Sequence, residues 1–325
     1  MEEGLDIEIA EESFQIKLEK VNRRFLRAIK IHLDSFLKPS GSNGCAVSIL
    51  PYSQTRKYNW PPSELENLRN LFLSVLRRFP PPPRLEEKVQ LSLNILRHFR
   101  PEEPSIRDLV SGTEALQNLI YAAVSDDLFL YDPEQNVAFF FIKKRLRSAG
   151  MLTALINGIM CVLSHRLIQA GGLLLHGAAL RKNDMGVLFL GLSGAGKSTI
   201  TRLCEPDICF SDDGVVIKNQ TNGIYAYRSP FGLLKTNGSY EDSLKGELQK
   251  IFLLEKSTCT RVLPITRSEL MSVILKHLIH FYKCFPPQTA QLGFYTVKAI
   301  LERLPVYRLQ FAKNTKIWDN ITLLS

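Results

Sequence analysis

Residues 185–199 read MGVLFLGLSGAGKST. An apolar run, Val187-Leu188-Phe189-Leu190, enters Gly191-Leu192-Ser193-Gly194-Ala195-Gly196-Lys197-Ser198, which has the spacing of a phosphate-binding loop. Gly191, Gly194 and Gly196 let the backbone turn tightly and aim loop N–H groups, those of Ser193 and Ala195 included, at phosphate oxygens. Lys197 has the reach for β- and γ-phosphates, and the Ser198 hydroxyl suits Mg²⁺. With Thr199 these residues open a helix predicted over Ser198 to Cys204, and a helix N-terminus favours an anion. The motif needs a strand before it and a helix after it, and both are predicted. A nucleotide, with ATP and Mg²⁺ as the implied pair, is the ligand class.

The rest of the chain bounds that reading. Its 325 residues allow one large domain or two ordinary ones, and 45% hydrophobic with 22% charged residues is a soluble globular balance. Six cysteines (45, 161, 204, 209, 259 and 284) show no CxxC or Cys/His ligand spacing. This argues against structural zinc and a disulfide framework and fits a reducing cytoplasm. His277 and His280 lie three apart in an apolar stretch and read as helix-face residues. The acidic start MEEGLDIEIAEES does not have the form of a secretory signal. The most apolar segment, Met151 to Leu163, is too short to span a bilayer and reads as a core helix.

Net charge is +9, and residues 151–325 hold 20 Lys/Arg against 12 Asp/Glu. The basic excess thus accompanies the glycine loop, which suits a nucleotide and an acidic substrate. No nucleic-acid-binding signature accompanies it.

Along the chain, residues 14–38 read as one amphipathic helix, and 63–79, 85–98 and 105–124 as further helices. Ser63 and Glu66 form a capping box, and Pro80-Pro81-Pro82-Pro83 makes a stiff spacer. Residues 1–125 are therefore predicted to be a mainly α-helical region, separate from a domain at 126–325. In that domain a hairpin is predicted over Leu128–Tyr131 and Val137–Ile142. A helix at 148–170 follows, then strands at Leu173–His176, Val187–Leu190, Ile208–Phe210, Val215–Lys218, Gly223–Tyr227 and Ile251–Glu255. Helices over Arg267–Phe281 and Pro287–Arg303 lead to a last strand, Val306–Phe311. Strands outnumber helices between 127 and 256, which predicts an α/β fold with a mixed sheet.

A second constellation is ICFSDDGVV at 208–216. Asp212 and Asp213 follow a strand and lie fifteen residues beyond Lys197, room for one helix and one strand. Asp-Asp-Gly also favours turns. Beside bound phosphates, however, such a pair can divide its work: one carboxylate directs Mg²⁺ and the other takes a proton from a hydroxyl. His176-Gly177 ends the strand that precedes the loop strand.

LLLHGAAL, GLSGAGKST and SDDGVVI, in that order, resemble HPr kinase/phosphorylase and its relatives. So do IFLLEK at 251–256, LPITRSEL at 263–270 and LPVYRL at 304–309. The resemblance covers residues 127–325. It implies the phosphoenolpyruvate-carboxykinase-like version of the phosphate-loop kinase fold and phosphorylation of a hydroxyl, notably serine of a peptide or protein. It further implies Lys197 and Ser198 on ATP phosphate and Mg²⁺, Asp212 as base, Asp213 on the metal and His176 near the γ-phosphate. Arg228 and Lys235 are cations suited to the transition state. The family's further acidic–Ile-Arg-Gly signature is poorly matched by Tyr227–Gly232, so the resemblance does not by itself imply the phosphorylase reaction or HPr as acceptor. A small-molecule kinase, such as one acting on free serine, and a non-catalytic nucleotide-binding module are the other readings. An oligomer is compatible with all three.

Overall fold

The structure is a computed structural model. It describes residues 3–18, 23–38, 44–52, 61–63, 66, 69, 120–124, 127–134, 136–143, 148–192, 194–204, 207–232, 245–278, 285–312 and 317–322. Two compact units emerge. The first comprises Met1–Glu8, Ser13–Val162 and Lys283–Pro286; the second comprises Ile9–Glu12, Leu163–Tyr282 and Pro287–Ser325.

The first unit is built on a six-stranded mixed sheet. Its strands are β1 (Glu3–Ile9), β2 (Glu12–Leu18), β3 (Cys45–Tyr52), β4 (Ile120–Val124), β5 (Asp127–Asp132) and β6 (Val137–Lys143), in the order β1-β2-β3-β6-β5-β4. β3 runs parallel to both β2 and β6, and the β5–β6 hairpin is antiparallel as predicted. The single helix expected over 14–38 is instead a strand followed by a helix. Phe14, Ile16 and Leu18 alternate inward along β2, a two-residue period. Only α1 (Arg23–Leu33) has the helical period, burying Phe25, Ile29 and Leu33. Residues 120–124, expected to end a helix, pair with β5 as β4.

Before residue 125, then, the described residues are rich in strand, not mainly helical. Their non-adjacent pairings, such as β2 with β3, leave no mark in local periodicity. Ser63, Glu66 and Arg69 are helical, and Ser63 lies inside that helical stretch, one residue beyond helical Pro62. The rest of the helices expected over 63–79, 85–98 and 105–119 lies outside the described residues. The division expected at 125/126 falls between β4 and β5 of one sheet; the compact units part within α2 (Ser148–Gln169), between Val162 and Leu163.

α2 has 22 residues, long and apolar enough to cross a bilayer, but 72% of its most apolar window is buried inside the protein. Its composition is that of a core helix, hydrophobic on every side. At Gly158 the backbone comes so close to the Phe129 and Phe140 rings that a Cβ would lie 2.6 Å from Phe140.

The second unit carries a nine-stranded mixed sheet. In chain order its strands are β7 (Gly172–His176), β8 (Ala178–Lys182), β9 (Met185–Leu190), β10 (Ile208–Ser211), β11 (Gly214–Gln220), β12 (Gly223–Tyr227), β13 (Lys245–Lys256), β14 (Arg261–Pro264) and β15 (Val306–Phe311). Its helices are α3 (Lys197–Leu203), α4 (Arg267–His277), α5 (Pro287–Arg303) and α6 (Ile317–Thr322). Strands run β10-β8-β9-β13-β12-β11-β7, with β15 beside β13 and β14 beside β15. β8, β14 and α6 have no counterpart in the sequence reading.

β13 changes partners along its length. Lys245–Glu247 pair antiparallel with β12, Leu248–Leu253 pair parallel with β9, and Ile251–Lys256 pair parallel with β15. Phe189, Phe252 and Tyr307 stack across these strands, with ring centroids 5.7 and 5.6 Å apart. Ile200 of α3 and Ile317, Trp318 and Ile321 of α6 close the same buried cluster.

Strand direction positions the site. β9, β13 and β15 are mutually parallel, and β10 is antiparallel to β8, itself antiparallel to β9. Hence β9, β10, β13 and β15 all end at one edge of the sheet. β8 begins there, Ala178 opposite Phe189, and β7 ends beside the start of β11, His176 opposite Gly214. Ligands of open α/β sheets bind at such carboxyl edges.

Candidate functional site

The loop from β9 to α3 turns through two glycines in the left-handed region, Gly194 at φ +78° and Gly196 at φ +101°. Gly196 is the N-cap of α3, and a Cβ there would lie 2.7 Å from the Phe311 ring at the end of β15. A Cβ on Gly191 would meet Ala195 at 2.8 Å. Both positions therefore require glycine for space, and Gly196 also for its backbone. The loop is folded on itself: the Ala195 N–H donates to the Leu192 carbonyl at 2.9 Å, and the Lys197 ammonium donates to the Gly191 carbonyl at 2.9 Å. Partial burial lowers the Lys197 pKa, and the charge of Asp213 opposes that shift.

The turn from β10 to β11 presents the aspartates. Asp212 is 4% exposed, while Asp213 stands largely in solvent. A Cβ on Gly232 would collide with the Asp212 carboxylate, so the segment after β12 packs directly on it. Ser229 donates to the Gly214 carbonyl at 2.5 Å, and the Gly177 N–H donates to the Asp213 carbonyl at 2.9 Å. These bonds tie the aspartate turn to the segment after β12 and to the β7–β8 junction. His176 Nδ1 lies 3.5 Å from Asp213 Oδ1, an ion pair when the imidazole is protonated. Hydrogen bonding to His176 holds the Asp213 carboxyl below its ordinary value; attraction from His176 and Lys197 adds to this and partial burial opposes it.

The loop, the aspartate pair and His176 open onto one cavity of about 880 Å³. Of the residues singled out from the sequence, His176, Gly191, Gly194, Gly196, Lys197, Ser198, Thr199, Asp212 and Asp213 line it. Ala195 and Arg228 are not among its lining residues. Ser193 and Lys235 lie outside the described residues. The cavity also takes in residues that sequence reasoning passed over: Lys256 and Ser257 after β13, Lys276 and His277 at the end of α4, and Phe311. No motif marks them. Only the parallel register of β9, β13 and β15 brings strand ends so distant in sequence to the loop. His277, a helix-face histidine by its sequence, ends α4 on the cavity wall.

Among the described residues, no three His, Cys, Asp or Glu side chains converge to hold a metal ion by themselves. Ser198 and Asp213 on one cavity suit an ion that arrives with phosphates, because Mg²⁺ takes few protein ligands and keeps several waters. Five cysteines are described and all are free thiols, four of them buried.

Residues 142–324, more than half of the chain, match the family model described as SynChlorMet cassette protein ScmC. No curated protein matches the chain.

Proposed function

The chain belongs to the ScmC family, and we propose that it is an ATP- and Mg²⁺-dependent kinase that phosphorylates a hydroxyl, serine of a peptide or protein. The observation that carries this reading is the shared cavity. A glycine loop with its lysine, two adjacent carboxylates and a histidine line one cavity. The likeness of the same three motifs to HPr kinase/phosphorylase, as a phosphate-loop kinase fold, supports it further. Phosphoryl transfer asks little covalent chemistry of a protein; it asks for positioning and charge stabilisation.

In this reading the loop amides and Lys197 hold the β- and γ-phosphates. Lys197 exchanges its bond to the Gly191 carbonyl for the phosphate. Ser198 and Asp213 would hold Mg²⁺, which when bound would supply charge neutralisation for the phosphates. Asp213 suits that place because its pairing with His176 keeps it ionised. Asp212, buried on the cavity wall, takes the proton of the acceptor hydroxyl. The acceptor O–Pγ bond forms as the bond from Pγ to the leaving ADP oxygen breaks. His176 orients Asp213 and reaches toward the γ-phosphate. Free thiols and a core-buried α2 fit a cytoplasmic enzyme with ready access to ATP. The family's description as a cassette protein directs the search for the acceptor to products encoded beside it.

The test is incubation with γ-labelled ATP, Mg²⁺ and cell extract or neighbouring gene products, followed by mass spectrometry of labelled acceptors. Binding is measured separately. Mg·ATP at a hundredfold excess over Kd should add about 2.7 kcal/mol of stability by mass action, seen as a rise in Tm. Lys197→Ala should lose most of that rise. An equal rise in the variant would remove the glycine loop from nucleotide binding.

A further inference from the structure

Two cations and a histidine on the cavity wall have no part in holding nucleotide in that reading. Lys256 and Lys276 line the cavity, and neither ammonium has an ion-pair or hydrogen-bond partner among the described residues. Several other cations of the second unit are engaged: Arg166 with Glu12, Lys218 with Glu11 and Glu12, Lys245 with Glu11, and Arg308 with Glu255. The excess of 20 Lys/Arg over 12 Asp/Glu in residues 151–325 thus includes two ammonium groups at the site itself that have no ion-pair partner among the described residues.

His277 adds directionality. It is 5% exposed and lines the cavity. Its Nδ1 lies 2.8 Å from the Val273 carbonyl. A carbonyl only accepts, so Nδ1 carries the hydrogen, the tautomer in which Nε2 is the acceptor. No partner for Nε2 is found among the described residues, and the residue lines the cavity. The next residue, Leu278, forms a backbone bridge with Leu175, which precedes His176. The end of α4 is therefore fastened to the strand that carries His176.

We infer that Lys256, Lys276 and His277 form the acceptor subsite, and that it takes a serine flanked by acidic residues in a peptide. The lysines meet the flanking carboxylates, and His277 Nε2 accepts an N–H of the acceptor backbone. This rests on the kinase reading and names its substrate class. Unpaired ammonium groups in a concave site raise the local concentration of an anionic partner and orient it.

The experiment measures, by calorimetry on the full chain, binding of two blocked tripeptides, acetyl-Asp-Ser-Asp-amide and acetyl-Asn-Ser-Asn-amide. Both are titrated into the protein saturated with Mg²⁺ and the non-hydrolysable analogue AMP-PNP. The acidic peptide should bind at least about tenfold more tightly, as expected for charged hydrogen bonds. The variant with Lys256→Gln and Lys276→Gln should erase that preference while its AMP-PNP affinity stays within twofold. His277→Phe should weaken both peptides alike. Equal binding of the two peptides, or binding of neither, overturns the inference. So does a loss of AMP-PNP affinity in the lysine variant, which would assign those lysines to the phosphates. Failure of the wild type to bind AMP-PNP is read in the first titration; it defeats the kinase reading and this subsite with it.

Discussion

Asp212 and Asp213 are neighbours in sequence with opposite surroundings, one buried and one largely in solvent beside His176. In the proposed kinase that contrast would let one turn supply both a base and a metal director. Asp212→Asn keeps shape and hydrogen bonding but removes the basic carboxylate. Phosphoryl transfer should fall by about 10²–10⁴-fold, the usual contribution of a general base, with ATP affinity nearly unchanged. Asp213→Asn should instead weaken the Mg²⁺ dependence of nucleotide binding along with turnover. Exchanged phenotypes would swap the two roles and leave the kinase in place. Normal turnover in both variants would make the pair a plain turn. At this scale the loop glycines and the aspartates were legible because their chemistry is encoded in contiguous residues. Arg228 was chosen as a nearby cation, yet it is not among the cavity's lining residues. The lysines that do line it carry no local signature.

Secondary structure was legible wherever one period held over a whole element. β9, α3, α5 and β15 were read at or near their bounds for that reason. The stretch 14–38 mixes periods, and a helical template absorbed the alternation of Phe14, Ile16 and Leu18 along β2. α2 shows the reverse limit: its sequence is so evenly apolar that only tertiary contacts tell which face meets what. Gly158 tests those contacts. Alanine there improves helix propensity by about 1 kcal/mol. Its Cβ would sit 2.6 and 2.7 Å from two Phe140 atoms and 2.9 Å from Phe129. Those rings are packed edge to face with centroids 5.4 Å apart. Overpacking a closed core costs about 1–3 kcal/mol. Gly158→Ala should therefore lower the denaturant midpoint, by a net of up to about 2 kcal/mol. A higher midpoint would show that the rings yield freely.

The whole molecule registers pH through His165, which is 5% exposed, with Nε2 3.4 Å from the Thr289 hydroxyl. Burial, aided by the charge of Arg166, lowers its pKa from 6.5 to about 4. Between those values the unfolded chain binds a proton that the folded chain refuses. The associated stability is present above pH 6.5 and is lost as pH falls toward 4, about 3 kcal/mol in all. Urea unfolding from pH 7.5 to 4 should show that slope, and His165→Gln should flatten it; equal slopes would assign the loss to other groups. Division of the chain is a second test at this scale. The sequence pointed to a self-sufficient domain from residue 126. In the structure β6 pairs with β3 over seven positions, Ala46–Tyr52 opposite Val137–Lys143, and β5 pairs with β4. A chain of residues 126–325 would bare both edges of the β5–β6 hairpin, and open, apolar edges associate. It should aggregate or bind hydrophobic dyes, where the full chain does not. A well-behaved 126–325 fragment that binds Mg·ATP would restore the earlier boundary.

The sequence by itself determined the glycine loop, the aspartate pair and the strand–loop–helix order around them. Each depends on residues adjacent in the chain, whose backbone freedom and side-chain chemistry act over a few ångströms. It also determined that strands dominate between 127 and 256, because alternation and turn residues are local. Only the tertiary structure decided that β2 and β3 share a sheet with β6, and that the compact units part inside α2. It alone carried Lys256, Lys276 and His277 to the loop's cavity. These are outcomes of pairing and packing between residues tens to hundreds of positions apart. Their free energy belongs to surfaces that exist only once the chain has closed on itself.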